Sequence, residues 1–155
     1  MISEEVKGFV AQPPLAMCLG TRNAQLKPQV TRAFSAKVSE DGTQITMYIS
    51  KYFVEACLAN LNDNGKVAFT TGSPLTHVSY QFKGQYVGIH DCTEEDYAFM
   101  QGNVGAFTEV LEQYYGPDMA ATLRNFPLNP SVAITFNVED VFNQTPGPGA
   151  GNKLN

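Results

Sequence analysis

Basic residues are scarce in this chain. Lysine and arginine total 10 against 15 aspartates and glutamates, a formal net charge of −5. That balance argues against nucleic acid or an anionic membrane surface as the main partner, because both select for clustered cations. Cysteines are few as well. Cys18, Cys57 and Cys92 stand at no paired spacing, which excludes a disulfide framework and a zinc site. No apolar run reaches the length of a membrane-spanning helix. The opening "MISEEVKGFV" is acidic and lacks a long apolar stretch, so no signal peptide is expected. The expectation is a soluble cytoplasmic protein.

What is present suits one globular domain. The chain has 155 residues, 43% of them hydrophobic, enough for a single core. Its 13 glycines and 9 prolines are scattered and mark turns between short elements. Ser3 with two following glutamates starts a short helix that ends before Pro13-Pro14. "LAMCLGTR" (15–22) reads as a buried strand. A hairpin over 29–50 turns at Asp41-Gly42, and Ile45, Met47 and Ile49 line its returning strand. In "YFVEACLANLND" (52–63) the period becomes helical, with Asn64-Gly65 as a left-handed stop.

Two strands come next, 66–72 and 77–90. The second carries Gly84 and Gly88 at expected bulges or bends. Its Tyr80, Phe82 and Tyr86 share one face. Thr93 with "EED" caps a helix reaching about residue 115, with an apolar stripe of Met100, Val104, Phe107, Leu111 and Tyr114. A shorter helix runs to Phe126, and a last strand covers 131–142. Residues 1–142 form one domain, and 143–155 form a Pro/Gly-rich tail read as a loop or arm. Strands joined by hairpins predict a mainly β, six-stranded antiparallel barrel with flanking helices.

Arg32 breaks the pattern. It has the parity of Val30, Phe34, Ala36 and Val38, so alternation aims a guanidinium at the core face. An unpaired buried charge is costly, which makes Arg32 a candidate for holding an anion. The other polar residues read as ordinary. Cys57 lies on the apolar stripe of its helix and packs there. His77, His90 and Cys92 sit too loosely for a metal site, and Asp91 beside His90 has no nucleophile to serve.

Several motifs, in order, resemble the flavin-binding split-barrel superfamily that includes pyridoxamine 5′-phosphate oxidase. They are a helix before "LAMCLGT", the basic strand "TRAFSAK", a turn into "ITMYISK", the helix end "ANLNDNGKVAF", and "YQFKGQYVGI" with its central glycine. The resemblance covers roughly residues 2–92 and, more weakly, the final strand. It implies a six-stranded split barrel that forms a homodimer, with flavin mononucleotide (FMN) bound across the subunit interface. By this resemblance Arg32 and Lys37 sit near the cofactor phosphate, with Ser50 and Lys51 as neighbours at the next strand end. Strict alternation puts Arg32 and Lys37 on opposite faces, so their convergence requires a bulge or strong twist.

The chain also departs from the family. Ala56 and Cys57 stand where the family often has basic residues. Ser79 stands where the oxidase has a flavin-contacting glutamine. No arginine motif for a substrate phosphate follows Val138. The resemblance therefore implies a divergent branch and not the vitamin B6 oxidase itself. Two functional classes stay open: an FMN-dependent oxidoreductase of unknown substrate, or a non-catalytic flavin- or ligand-binding, stress-response dimer that has lost tight FMN binding.

Overall fold

The computed structural model describes residues 1–155. Its elements, in chain order, are α1 (Glu4–Val10), β1 (Ala16–Arg22), β2 (Pro28–Ala33), β3 (Ser35–Val38), β4 (Gln44–Ser50), α2 (Glu55–Asn64), β5 (Lys66–Gly72), β6 (Ser79–Asp91), α3 (Glu94–Tyr115), α4 (Pro117–Arg124) and β7 (Ser131–Asn143). All strand pairs are antiparallel, in one sheet of order β2-β1-β5-β6-β7-β4-β3. Its two outermost strands are consecutive in the chain, so the sheet curls back toward itself. No helix is long and apolar enough to cross a membrane.

The strand count is seven, not the expected six, and Phe34 is the reason. The first strand of the hairpin breaks there. Before the break it pairs with β1, and after it with β4. Both Phe34 and Ser35 face Tyr48: the Phe34 amide donates to the Tyr48 carbonyl at 2.9 Å, while Ser35 is its register partner. Two residues opposite one is a β-bulge, and it shifts side-chain parity along the strand.

That shift corrects the expectation for Arg32. In β2 the buried residues are Thr31 and Ala33, while Val30 is 67% exposed and Arg32 is half-buried. Arg32 therefore points to the outer face of the sheet, not into the barrel. Past the bulge Ala36 joins the core and Val38 packs against it, so Lys37 also faces outward. The irregularity puts both cations on one face.

The barrel interior follows from alternation. Leu19, Ile45, Met47, Ile49, Phe69, Phe82, Ile134 and Phe136 are fully buried. Phe69 stacks on Phe82 with ring centroids 5.9 Å apart and meets Phe136 edge-on at 6.3 Å. Tyr80 and Phe82 face the core as expected, with Tyr86 packed against it. At one end, Ile2, Val6 and Val10 at the N-terminus and along α1 enter this cluster, and Phe9 packs edge-on against Tyr80 at 5.1 Å. At the other, α2 contributes Cys57 and Leu61, next to Val54. That helix starts at Glu55, later than expected, and stops at Gly65 with φ +67°, the left-handed conformation glycine favours.

A second, smaller cluster lies outside the barrel. Phe34, Tyr48 and Ala133 on the outer sheet face pack against Met100 of α3. The tail, expected as a loose loop or arm, turns back on β7. Lys153 bridges to Phe142, and the Leu154 amide donates to the Val141 carbonyl at 2.8 Å.

Candidate functional site

The outer wall formed by β2, β3 and β4 carries both cations, and α3 lies across it. Thr93 and Asp96 start this helix. The Thr93 hydroxyl accepts from the Asp96 amide, and the Asp96 carboxylate accepts from the Thr93 amide at 3.0 Å. This capping box satisfies two otherwise orphaned amides. The buried stripe that follows is Asp96, Met100, Asn103, Phe107 and Thr108. It overlaps the expected apolar stripe only at Met100 and Phe107. Tyr114 is 62% exposed.

Each cation meets an aromatic ring of α3. The Arg32 guanidinium stacks 4.9 Å from the Phe107 centroid. The Lys37 ammonium lies 4.6 Å from Phe99 and 5.6 Å from Tyr48. Lys37 also faces the Asp96 carboxylate at 3.9 Å, at the limit of an ion pair. Burial would raise the Asp96 carboxyl. Hydrogen bonds from Thr93 and Tyr48, together with the Lys37 charge, outweigh it and hold the group below its ordinary value. Burial, then Asp96, pushes the Tyr48 phenol well up.

Arg32 has no such anion. It forms no ion pair, and its Nε is buried without a hydrogen-bond partner. Burial lowers its pKa, against a smaller raising effect of Cys18, its register partner on β1. The side chain remains a cation. An arginine left unpaired keeps guanidinium donors that an anion can take.

Arg32 and Lys37 share a face but do not converge. Phe99 and Phe107 are eight positions apart on α3, about 12 Å at the helical rise. Between them Met100 packs on Phe34, and the Asn103 amide donates to the Phe34 carbonyl at 2.5 Å. Beside Lys37 a cleft of about 380 Å³ opens between α1 and α3, lined by Lys7 as well as by Val10, Ala11, Ala36, Val38 and Phe99. A neighbouring cavity of about 130 Å³ shares Val10, Ala11 and Phe99 and reaches Ser35 and Asn103.

The other expected site residues are dispersed. Ser50 is fully buried at the end of β4. Lys51 follows it and pairs with Asp91 at 2.6 Å, on the rim of a separate cleft of about 490 Å³ lined by Val54, Leu58, Ile89 and Val132. Ser79 begins β6 and Asp91 ends it, so Ser79 lies up to roughly 40 Å along the strand from the Lys51 pair. Its hydroxyl donates to the His77 carbonyl at 2.8 Å, and its amide donates to Thr145. Within one chain Ser79 does not join the others. Near Lys51, burial first and then Asp96 and Asp91 push the Cys92 thiol up to about 11, which keeps it protonated and unreactive. Cys57 is buried in the core, as its place on the helix suggests, and Ala56 beside it is exposed.

Sequence reasoning did not find Tyr48, Asp96, Phe99 or the role of Phe107. Asp96 reads as a cap and Phe107 as core. Nothing local says that a helix more than sixty residues downstream lies across the Arg32–Lys37 wall.

The fit of a flavin phosphate to this wall is partial. Arg32 fits: it is a cation with an orphaned Nε and no competing carboxylate. Lys37 fits less well, since Asp96 and Phe99 engage it. The interval between the two is filled by α3.

No family model matches the chain, and no curated protein matches it. Solved structures do. HupZ of Group A Streptococcus superposes with a TM-score of 0.56 at 19% identity, covering 97% of this chain and 100% of that one. A putative pyridoxamine 5′-phosphate oxidase of Lactobacillus delbrueckii gives 0.55 at 18% identity, covering 91% and 93%. An FMN-binding protein of Syntrophomonas wolfei gives 0.54 at 12% identity, covering 90% and 84%. At such identities the likeness is one of fold.

Proposed function

We propose that this chain, which has the split-barrel fold of the pyridoxamine 5′-phosphate oxidase-like superfamily, binds FMN and serves as a flavin-dependent oxidoreductase in homodimeric form. The observation that carries the reading is Arg32: a half-buried guanidinium with no carboxylate near it and an unpartnered Nε. Arg32 holds the phosphate, and Lys37 lines the cleft for the ring system on the same face. The cleft beside Lys37 has the apolar walls that a flat ring system needs, within the usual size range of small-molecule pockets. Bound flavin supplies the electron transfer, and the chain's own residues bind, orient and shield it.

A non-catalytic reading draws on a different observation. Phe107 and Phe99 already cover the two cations, and Ala56 and Cys57 add no charge. The two readings part on whether flavin binds at all. FMN titrated into the wild type, Arg32→Ala and Lys37→Ala tests this by flavin fluorescence. The expected result is saturable binding by the wild type, weakened about tenfold in Arg32→Ala and by less in Lys37→Ala. Absence of binding, or equal affinity in all three, overturns the assignment.

The chain is not expected to oxidise pyridoxamine 5′-phosphate. A second phosphate beside the flavin needs further free cations. From residue 85 onward only Arg124 and Lys153 carry a permanent positive charge, and they are ion-paired with Glu112 and Asp140.

A further inference from the structure

We propose that helix α3 is an intramolecular competitor for the flavin phosphate site, so that cofactor binding and the seating of α3 on the barrel exclude each other in part. The inference rests on the flavin reading above and adds its regulation. Three observations carry it, and none depends on a bound ligand.

The first is substitution of one partner by another. Arg32 faces no anion, yet its guanidinium is not free: the Phe107 ring lies on it. A ring is a weak partner for a cation compared with an oxyanion that takes two hydrogen bonds. The Nε is buried, so a phosphate that reaches it must shift what covers it, and Phe107 lies on this side chain. The second is that Lys37 is held by α3 in the same way, through Phe99 and the distant Asp96 carboxylate. Both cations are thus occupied by one element. Between those two rings on α3, Met100 packs on Phe34 and Asn103 donates to its carbonyl.

The third is that α3 is only lightly attached. Of its 22 residues five are buried: Asp96, Met100, Asn103, Phe107 and Thr108. Gly102 and Gly105 lie within it, and a β-carbon at either would meet nothing within 4 Å. Packing therefore does not require these glycines, and each weakens the helix where it crosses the wall. A cover that grips its two cations through rings and carries two unforced glycines between them is suited to lift.

The balance can be stated as exchange. In the ligand-free chain the cations are partly satisfied by α3. With phosphate bound, the cations gain charge-assisted hydrogen bonds and α3 loses Phe107 and Phe99 as anchors. The apparent affinity for FMN is lowered by the stability of the closed form. Removing the competing ring raises it.

FMN titration of Phe107→Ala, Phe99→Ala and the wild type, with hydrogen exchange over residues 94–115, tests this. The expected results are affinity about two- to thirtyfold tighter in Phe107→Ala, the range set by a lost cation–π contact, and faster amide exchange in wild-type α3 on saturation with FMN. Gly102→Ala with Gly105→Ala, which stabilises the helix without touching the cations, is expected to weaken FMN binding. Binding by the wild type with unchanged α3 exchange and no gain in Phe107→Ala overturns the competitor proposal and leaves the flavin reading intact. Binding by Phe107→Ala alone supports the competitor in its strongest form. No binding by any variant removes both.

Discussion

Replacing Arg32 by methionine is expected to stabilise the ligand-free protein. The Arg32 Nε is buried with no partner. Such a group forfeits about 1–3 kcal/mol of solvation. Against this stands the stacking of the guanidinium on Phe107 at 4.9 Å, about 0.5–2 kcal/mol and toward the lower figure for a group still partly in water. Methionine has nearly the same reach, leaves no polar atom unsatisfied, and makes a sulfur–aromatic contact of about 0.3–1.5 kcal/mol with the same ring. The net is about 1 kcal/mol in favour of the variant. For a chain of 155 residues that corresponds to a rise of about 2–4 °C in Tm. Urea unfolding followed by far-UV circular dichroism, with a thermal scan, measures it. Most arginine-to-methionine changes at an ordinary packed site lose stability. A loss of 1 kcal/mol or more here would show that Arg32 is satisfied in the free protein, and the argument for an open anion site would fail with it.

Other expectations follow from the same geometry. Gly84→Ala should cost at least about 3 kcal/mol, because a β-carbon there overlaps the Asn137 carbonyl of the neighbouring strand; chemical denaturation, or insoluble expression, checks it. The Asp96 carboxyl is held below its ordinary value of 3.8, so it adds stability that is fully present above that pH and is lost as pH falls through its lower folded value. Wild type should therefore lose more stability than Asp96→Asn between about pH 5 and pH 2 in parallel denaturation series. Flavin-loaded protein given pyridoxamine 5′-phosphate and oxygen should form no pyridoxal phosphate at a rate near 1 s⁻¹, the low end of usual enzyme turnover at about 1–10³ s⁻¹. Asp91→Asn removes the ion pair with Lys51, whose side chains are 78% and 40% exposed, and should change stability by less than about 1 kcal/mol.

Much of the barrel was legible because its signals are local. The alternation of Ile45, Met47 and Ile49, the Gly65 stop and the Thr93 cap each depend on a few neighbouring residues, and the structure keeps all three. The parity of residues 28–38 was not legible, since Val30, Arg32 and Phe34 alternate cleanly and nothing in the string announces a bulge. The bulge arises from closure: one strand must serve β1 at one end and β4 at the other, and the turn between those partners falls at Phe34. The same limit hides the site. Arg32 stands out by its chemistry, but its ring partner comes from Phe107, which has the spacing of a plain core residue. A stripe of period 3.6 marks what a helix buries and not what it buries it against. Asp96 shows the opposite case, where a residue that reads as a cap also faces a lysine from another element.

The central claim is that the outer wall at Arg32 is an anion site for flavin phosphate. The most direct test is equilibrium titration of the purified wild type and Arg32→Ala with FMN, beside riboflavin, which lacks the phosphate. The account predicts that the wild type prefers FMN over riboflavin and that Arg32→Ala loses most of that preference while binding riboflavin as before. Equal binding of the two flavins by the wild type, or a preference that survives in Arg32→Ala, would contradict it.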